Sequence, residues 1–555
     1  MSKLQSNLHL FFYLYLFRLF NALLCRTFFQ PDEFYQSIEI AHQQVFGYGF
    51  VSWEWRNAID RSTGGIRSPL YPFLFVPAFA LLKHLTLDHT SLLILFPKLI
   101  QAAIAATTDL ATYRLATRIT SHHYAPAALS CSLTSVFNAY AGIRTFSNSA
   151  ETALTASALV FWPWTGDQVA ASWSHFAISL GLASIAVMIR PPALVFWALL
   201  GFQLIRNSRG EAKMDVFALV VVIGCLTAFA CFIIDSSFYG RPTFTPLNFV
   251  RQNVYNSLSA FYGLNRWHFY FTQAFTFVNF SLFPTVLLGI ITLSTAQAGF
   301  EDGLVLLRLR SARWACIGTM IALSFLAHKE FRFIQPLVPL FNIFAARAMV
   351  NNHVKYRKLN PSLTSPSWLE RTLQARSVGF IFRSLIALGA ALYLLRYQYQ
   401  GQVAVIDYLR HVPEAELKSV GFLMPCHSTP WQSHLHRPHL ASESRNGSLL
   451  WMLSCEPPLQ GQNLTTYKDE SDNFYTDPID FLNTHFPNKV DNQFPGSNGS
   501  DFQWPSHLVL FSNLLNGPVG SLLESKGYGI QKSFPNGRWH DDPRRKGEVV
   551  LMSWS

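Results

Sequence analysis

Charge is what this chain has least of. Asp, Glu, Lys and Arg make up 14% of its 555 residues, where a soluble protein carries nearer a quarter. Half of the residues are hydrophobic and 15% are aromatic, so the composition excludes a soluble globular protein and describes one that crosses a membrane many times. Several signatures are missing. There is no phosphate loop, no dinucleotide fingerprint and no paired-cysteine zinc motif. His427 and the His434-Leu435-His436 run share a Pro-rich stretch without a carboxylate at ligand spacing, which reads as surface histidines, and neither metal nor cofactor is expected. Cysteine is scarce too: of seven, Cys25, Cys131, Cys225, Cys231 and Cys316 lie in or beside apolar stretches as small buried hydrophobes. The excess of 43 Lys and Arg over 32 Asp and Glu does not point to nucleic acid, because the basic residues gather in short loops between apolar stretches and fix topology instead.

Residues 8–24 form an apolar run broken by His9, Arg18 and Asn21 and preceded by Lys3. It leads into Leu24-Cys25-Arg26-Thr27, which offers no small-residue cleavage site, so a retained first span is expected. The loop that follows, residues 29–68, is rich in Trp, Tyr and Phe. Within it, residues 33–44 have helical spacing with polar positions on one side, the pattern of a helix lying in the membrane interface. Further apolar stretches lie near 69–82, 91–106, 125–140, 152–164, 173–188, 192–205, 216–234, 275–293, 315–327, 334–350 and 378–395. Several are shorter than the roughly 20 residues that cross hydrocarbon squarely, and the expected count is about ten to thirteen spans.

The strongly basic loops 206–213, 308–313 and 355–376 belong in the cytosol. Counting spans outward from them puts residues 235–273, the His328 segment and the whole C-terminal region on the opposite, luminal side. A cytosolic Lys3 puts the loop 29–68 there as well. Residues 397–555 are polar, with Pro, Gly, Ser and Asn clusters, and read as a luminal mixed α/β domain that follows a membrane domain of residues 1–396. The sequons at Asn446, Asn463 and Asn498 agree with that side. Cys426 and Cys455 lie among them, and an oxidising lumen suits one bridge between the two.

Two short segments put charge at the mouths of spans, where ionisable groups are costly and mark function by default. The first is Gln30-Pro31-Asp32-Glu33. A carboxylate near a membrane surface suits a base that takes a proton from a hydroxyl; equally, Pro31 and the two acids suit the first turn of a helix, complementing its dipole. The second is His328-Lys329-Glu330-Phe331-Arg332-Phe333. Three cations beside aromatic rings suit the phosphate of a lipid, with Glu330 holding Arg332 in place; a basic belt snorkelling at a span end has the same composition. Other polar residues in apolar context include Asp109, Arg114, Arg144, Asn148, Glu151 and Arg190. An Arg144 to Glu151 pairing is the economical reading of two of them. Asp235, Tyr239 and Arg241 fall in a luminal loop suited either to sugar or phosphate or to packing.

A family resemblance rests on longer blocks. The run Phe28-Phe29-Gln30-Pro31-Asp32-Glu33-Phe34-Tyr35-Gln36, followed by Phe46-Gly47-Tyr48-Gly49, Trp53-Glu54-Trp55 and Arg67-Ser68-Pro69-Leu70-Tyr71-Pro72, resembles the first luminal loop of the dolichyl-phosphate-mannose-dependent α-mannosyltransferases of the endoplasmic reticulum, glycosyltransferase family 22. Residues 328–333 are similar to that family's second signature. Gln30, the Leu423-Met424-Pro425-Cys426-His427-Ser428-Thr429-Pro430 block and Cys455-Glu456-Pro457-Pro458 resemble the branch that adds the third mannose, in α1,2 linkage, to the glycosylphosphatidylinositol (GPI) precursor. Phe34-Tyr35 stands where a Tyr-Trp pair is more usual.

The resemblance implies a GT-C fold in the endoplasmic reticulum membrane, dolichyl phosphate mannose as donor, a GPI-precursor glycolipid as acceptor, and inversion in a single displacement. Asp32 would be the base, with Glu33 as second choice or positioning group, and His328, Lys329 and Arg332 would hold the donor phosphate. Arg67, Arg144 and Glu330 are further substrate-binding candidates. The rivals are a related enzyme acting on the lipid-linked N-glycan precursor or adding a fourth GPI mannose and, from another class, a lipid or solute transporter. Transporter folds show internal repeats with interrupted helices, and none is evident here. The absence of an Asp-x-Asp motif argues against an enzyme that uses a sugar nucleotide.

Overall fold

The computed structural model describes residues 3–56, 64–208, 210–296, 302–359, 375–441, 448–459, 461–464, 466–490 and 501–554. Two compact units emerge. One gathers Met1–Ala22, Gly64–Tyr71 and Lys98–Ala391; the other gathers Leu23–Thr63, Pro72–Pro97 and Leu392–Ser555.

The first unit is helical. Among the described residues of the whole chain, six helices are long and apolar enough to cross a membrane: Gln5–Leu24, Leu92–Ile119, Ala212–Tyr239, Tyr270–Ser294, Phe331–Asn352 and Gly379–Arg396. Pro72–His84, Trp173–Ile189 and Ala193–Asn207 are apolar but shorter. The apolar stretch 125–140 divides into Ala125–Thr134 and Val136–Tyr140, because Ser135 turns extended and its side chain accepts the Asn138 N–H. A serine that bonds its own backbone two or three residues on ends one helix and caps the next.

Inside the unit, charges answer one another. Arg18 and Asp109, each 1% exposed, form a two-pronged ion pair, Nε to Oδ2 at 2.6 Å and Nη2 to Oδ1 at 2.8 Å. Ser132 Oγ also donates to Asp109, and Arg18 donates to the Ser132 carbonyl. Glu151 pairs with Arg190 at 3.0 Å, a correction to the expected Arg144 partner. The reason is rotational: Arg144 Nε turns back to the Tyr140 carbonyl at 2.9 Å, with its guanidinium 4.5 Å from the Tyr140 ring centre.

The second unit holds a five-stranded mixed sheet made of β1 (Val420–Leu423), β2 (Leu450–Met452), β3 (His507–Phe511), β4 (Tyr528–Phe534) and β5 (Val549–Trp554), in the order β2-β1-β3-β5-β4. β1 runs parallel to β2 and β3, whereas β5 runs antiparallel to β3 and β4. β1 and β3 are buried along their full length, the mark of a strand covered on both faces. Gly421 lets the Trp451 indole lie flat on β1, since a Cβ there would come within 2.2 Å of the ring. Helices Glu470–Thr476 and Pro478–His485 pack Phe474, Phe481 and Leu482 into one core with Trp451, Phe502 and Trp504.

Removing one partner of a buried pair strands the other charge, which costs about 3–5 kcal/mol. Asp109→Ala therefore lowers the thermal midpoint of detergent-solubilised protein by several degrees, and Asp109→Ala combined with Arg18→Met recovers most of the loss. A double variant no more stable than the single one contradicts the pairing as the cause.

Candidate active site

The acidic segment belongs to the second unit. Pro31 makes a turn, Asp32 and Glu33 open a helical stretch, and the Phe34 and Tyr35 amides both donate to the Pro31 carbonyl, at 2.9 and 3.0 Å. Phe34–Ile38 is wound as a π-helix and Glu39–Phe46 as an α-helix that ends at Gly47, φ 84°. Single π turns inside helices concentrate at functional sites. The two acids separate here: Glu33 is 8% exposed, whereas Asp32 is only partly buried.

The expected interfacial helix is instead enclosed, with Phe34 through His42 all buried, because its polar face has protein partners. Gln432 and Ser433 donate their amides to the Glu39 carboxylate at 3.1 and 2.8 Å, and Phe50 does so at 3.3 Å. His42 Nε2 meets His436 Nδ1 at 2.9 Å; His436 Nε2 meets Asp88 at 3.0 Å and Tyr48 Oη meets His436 Nδ1 at 2.9 Å. His434 is buried as well. Of the histidines read from sequence as surface residues, His434 is buried and His436 and His427 are partly buried, a correction that for His436 has its cause in this network of donors and acceptors.

Beside this helix a disulfide joins Cys426 and Cys455. His427 lies between rings, 4.3 Å from Tyr35 and 5.1 Å from Phe50 between centroids, and Tyr35 Oη donates to the Thr429 carbonyl at 3.1 Å. Cys426, His427 and Cys455 bring three donor atoms within 4.8 Å, but the two sulfurs are bound to each other, and a soft metal needs thiolates. Arg56 pairs with Glu456 at 2.5 Å and Gln36 donates to Glu54 at 3.0 Å.

The cationic segment belongs to the first unit. Glu330 is extended and the chain then winds into the 3-10 helix Phe331–Leu337. One carboxylate organises the segment: Glu330 accepts from Arg332 Nε at 2.6 Å, Arg332 Nη2 at 2.7 Å and His328 Nε2 at 3.1 Å. His328 Nδ1 faces the Gly263 carbonyl at 3.1 Å. Both ring nitrogens thus face acceptors, so both donate and the ring is cationic. Burial opposes that charge, but the hydrogen bond and charge of Glu330, with the Gly263 carbonyl, outweigh it and hold the His328 pKa above its ordinary value. Burial likewise pushes the Glu330 pKa up, and Arg332 and His328 overcome it and hold the carboxyl well below the usual range.

Lys329 and Asn265 exchange bonds, Nζ to carbonyl at 2.7 Å and Nδ2 to carbonyl at 2.9 Å. Arg332 sits 5.2 Å from the Phe146 ring centre, and Asn148 Nδ2 donates to its carbonyl at 3.1 Å. Lys329 and Arg332 are each 4% exposed, which a belt of cations reaching for headgroup water is not.

Tyr239 donates to the Arg67 carbonyl at 2.7 Å, and the neighbouring Ser68 donates to Asp235 at 2.7 Å. Asp235 and Tyr239 fall within the helix Ala212–Tyr239 rather than in the expected loop, a correction, and the fully buried Asp235 also takes the Thr245 amide and hydroxyl at 3.1 and 2.7 Å, tying that helix to the segment after it. Asn463 is exposed at a turn; Asn446 and Asn498 lie outside the described residues. Sequence reasoning passed over Glu39 and His42 and read His427 as a surface residue; each has a partner nearly four hundred residues away. The one available signal was Glu39 and His42 sharing a helix turn that is otherwise apolar.

A model of the Alg9-like mannosyltransferase family matches residues 9–436. The chain belongs to that family. Among its relatives, GPI mannosyltransferase 3 of Yarrowia lipolytica is 36% identical over 97% of this chain and 95% of its own length. GPI alpha-1,2-mannosyltransferase 3 of Danio rerio is 34% identical over 97% and 90%. ArnT from Cupriavidus metallidurans, solved with undecaprenyl phosphate, shares the fold at 12% identity, with a TM-score of 0.58 over 100% of this chain and 98% of that one. This member of the Alg9-like mannosyltransferase family is therefore a multi-pass membrane glycosyltransferase of GT-C fold.

Burial pushes the Glu39 pKa up to about 7, against the pull of the Ser433, Phe50 and Gln432 donors. A carboxyl that binds its proton more tightly folded than unfolded stabilises fully below its ordinary pKa of 4.5, and the benefit fades as pH rises through about 7, by about 3 kcal/mol in all. Glu39→Gln removes that titration. From pH 5 to pH 8 the melting temperature of the wild type falls relative to that of Glu39→Gln; parallel curves for the two refute the assignment.

Proposed function

We propose that this enzyme adds the third mannose, in α1,2 linkage, to the GPI precursor, taking it from dolichyl phosphate mannose on the luminal side of the endoplasmic reticulum membrane. One observation carries the reading: a buried segment in which a single carboxylate, Glu330, orders His328 and Arg332 beside Lys329. A guanidinium, an ammonium and an imidazolium held together out of water suit an anion. A lipid phosphate beside Phe331 and Phe333 supplies that anion. Relatives alike over nearly their whole length carry GPI mannosyltransferase 3 in their names, which supports the acceptor.

In the transfer, the acceptor 2-hydroxyl oxygen attacks C1 of the donor mannose. Asp32, the more exposed of the two neighbouring acids, takes the hydroxyl proton as the new bond forms. The C1 to phosphate bond breaks, its electron pair stays on dolichyl phosphate, and β becomes α in one displacement. Arg332, Lys329 and His328 stabilise the charge gathering on the leaving phosphate, a term that matters most where water is excluded. Glu330 keeps Arg332 and His328 aimed. Arg67 and Arg144 remain substrate-binding candidates in this reading.

Purified enzyme tests these roles. Asp32→Asn lowers kcat by ~10³, within the range of general base catalysis, at an unchanged melting temperature; near-normal turnover removes Asp32 as the base. Arg332→Ala raises the donor KM by ~10–100-fold, the loss of charge-assisted hydrogen bonds; unchanged donor KM and kcat remove Arg332 from the phosphate site.

A further inference from the structure

Two apolar helices end side by side. Just past the ends of Gln5–Leu24 and Gly379–Arg396, the Arg26 amide donates to the Leu395 carbonyl at 2.9 Å, Thr27 Oγ1 to the Leu394 carbonyl at 2.7 Å and the Phe28 amide to the Tyr399 carbonyl at 3.0 Å. Both helices carry exposed apolar side chains almost to that point, Phe20 and Leu23 on the first and Leu388 and Leu392 on the last. In a membrane enzyme such side chains face lipid, so the hydrocarbon gives way to headgroups where the two helices stop.

A loop of the sheet lies on this same spot. Residues 535–541 begin the connection from β4 to β5, and three bonds hold them to the stretch that follows the last span. The Tyr399 amide donates to the Asn536 carbonyl at 3.2 Å, Tyr399 Oη donates to Asp541 Oδ1 at 2.7 Å, and Gln398 Nε2 donates to the Trp539 carbonyl. Gly537, φ 85°, permits the approach, since a Cβ there would come within 2.6 Å of Gln398 Oε1. The Trp539 ring lies 6.4 Å from Tyr393 in the last turn of the span, and Tyr393 stacks on Tyr397 at 6.3 Å. Yet Trp539 is 78% exposed and Tyr397 58%. Arg26 and Arg538 are exposed beside them in sequence and bonding, and Arg396 is half-buried. Rings with an apolar body and a polar tip, interleaved with cations at the end of a lipid-facing helix, have the composition of the headgroup level of a bilayer.

We infer that residues 535–541 seat the C-terminal sheet on the membrane, with Trp539 and Tyr397 in the phospholipid headgroup layer. Because β4 and β5 leave from this loop, the seat sets how high the sheet stands above the bilayer. Phe28, tied to Tyr399, brings the turn that opens at Pro31 to the same level.

The test uses full-length enzyme carrying fluorotryptophan, one chain to a phospholipid nanodisc. The fluorine resonance that Trp539→Phe removes is that of Trp539; the ring is exposed, so the variant keeps its fold. A phospholipid bearing a nitroxide on its headgroup broadens this resonance beyond detection, and a water-soluble gadolinium chelate broadens it less. Broadening by the chelate as strong as that by the lipid nitroxide puts the ring in water and overturns the inference. A resonance that neither agent reaches puts the ring beneath protein, and overturns it equally.

Discussion

A charge held away from water has to be answered by another charge or by donors fixed in place, and that constraint shapes both units. Arg18 meets Asp109, Arg190 meets Glu151, Glu330 gathers Arg332 and His328, and Asp235 takes up Ser68 and Thr245. The Arg18–Asp109, Arg190–Glu151 and Asp235–Ser68 pairings join segments distant in sequence and so fix how helices and loops meet, whereas Glu330 orders a single local segment. The Glu330 carboxylate gathers a guanidinium and an imidazolium, and the site proposed to hold a leaving phosphate has use for both.

The second unit applies the same constraint to a carboxylate. Glu39 receives three backbone amides from Phe50, Gln432 and Ser433, so the helix that starts at Asp32 is tied to the stretch just after the Cys426 loop. The disulfide, His427 and Tyr35 add a second tie on the same turn. The base proposed at Asp32, acting at one atom of a large glycolipid, needs its backbone held within about half an ångström of the productive place. The C-terminal sheet, whose β1 runs directly into Met424 and Cys426, gives these ties something rigid to pull against.

Much of this was legible in the residues, and the limits have physical reasons. Long apolar runs gave the spans at 8–24, 216–234, 334–350 and 378–395, because a helix in lipid satisfies its backbone alone and needs only apolar length. The acids at 32–33 and the cations at 328–332 stood out through the cost of charge near hydrocarbon. What eluded the sequence was long-range choice of partner. Glu151 had Arg144 seven residues before it, an apt spacing by helix arithmetic, yet Arg190 holds it. His427, His434 and His436 stand in a polar, Pro-rich run and looked solvated, because nothing local shows that Tyr35 and Phe50 come against His427, Phe34 against His434, and His42 and Tyr48 against His436. The break at Ser135 and the π turn at Phe34–Ile38 are likewise decided by packing and by a single capping bond, which hydrophobic spacing does not register.

The central claim is the identity of the product, and lipid analysis reads it most directly. In cells that lack the enzyme for the third GPI mannose, lipid-linked precursors with two mannoses accumulate. Expression of this chain should convert them to species whose third mannose is released by an α1,2-specific mannosidase. A two-mannose intermediate that persists despite full-length protein in the membrane contradicts the account.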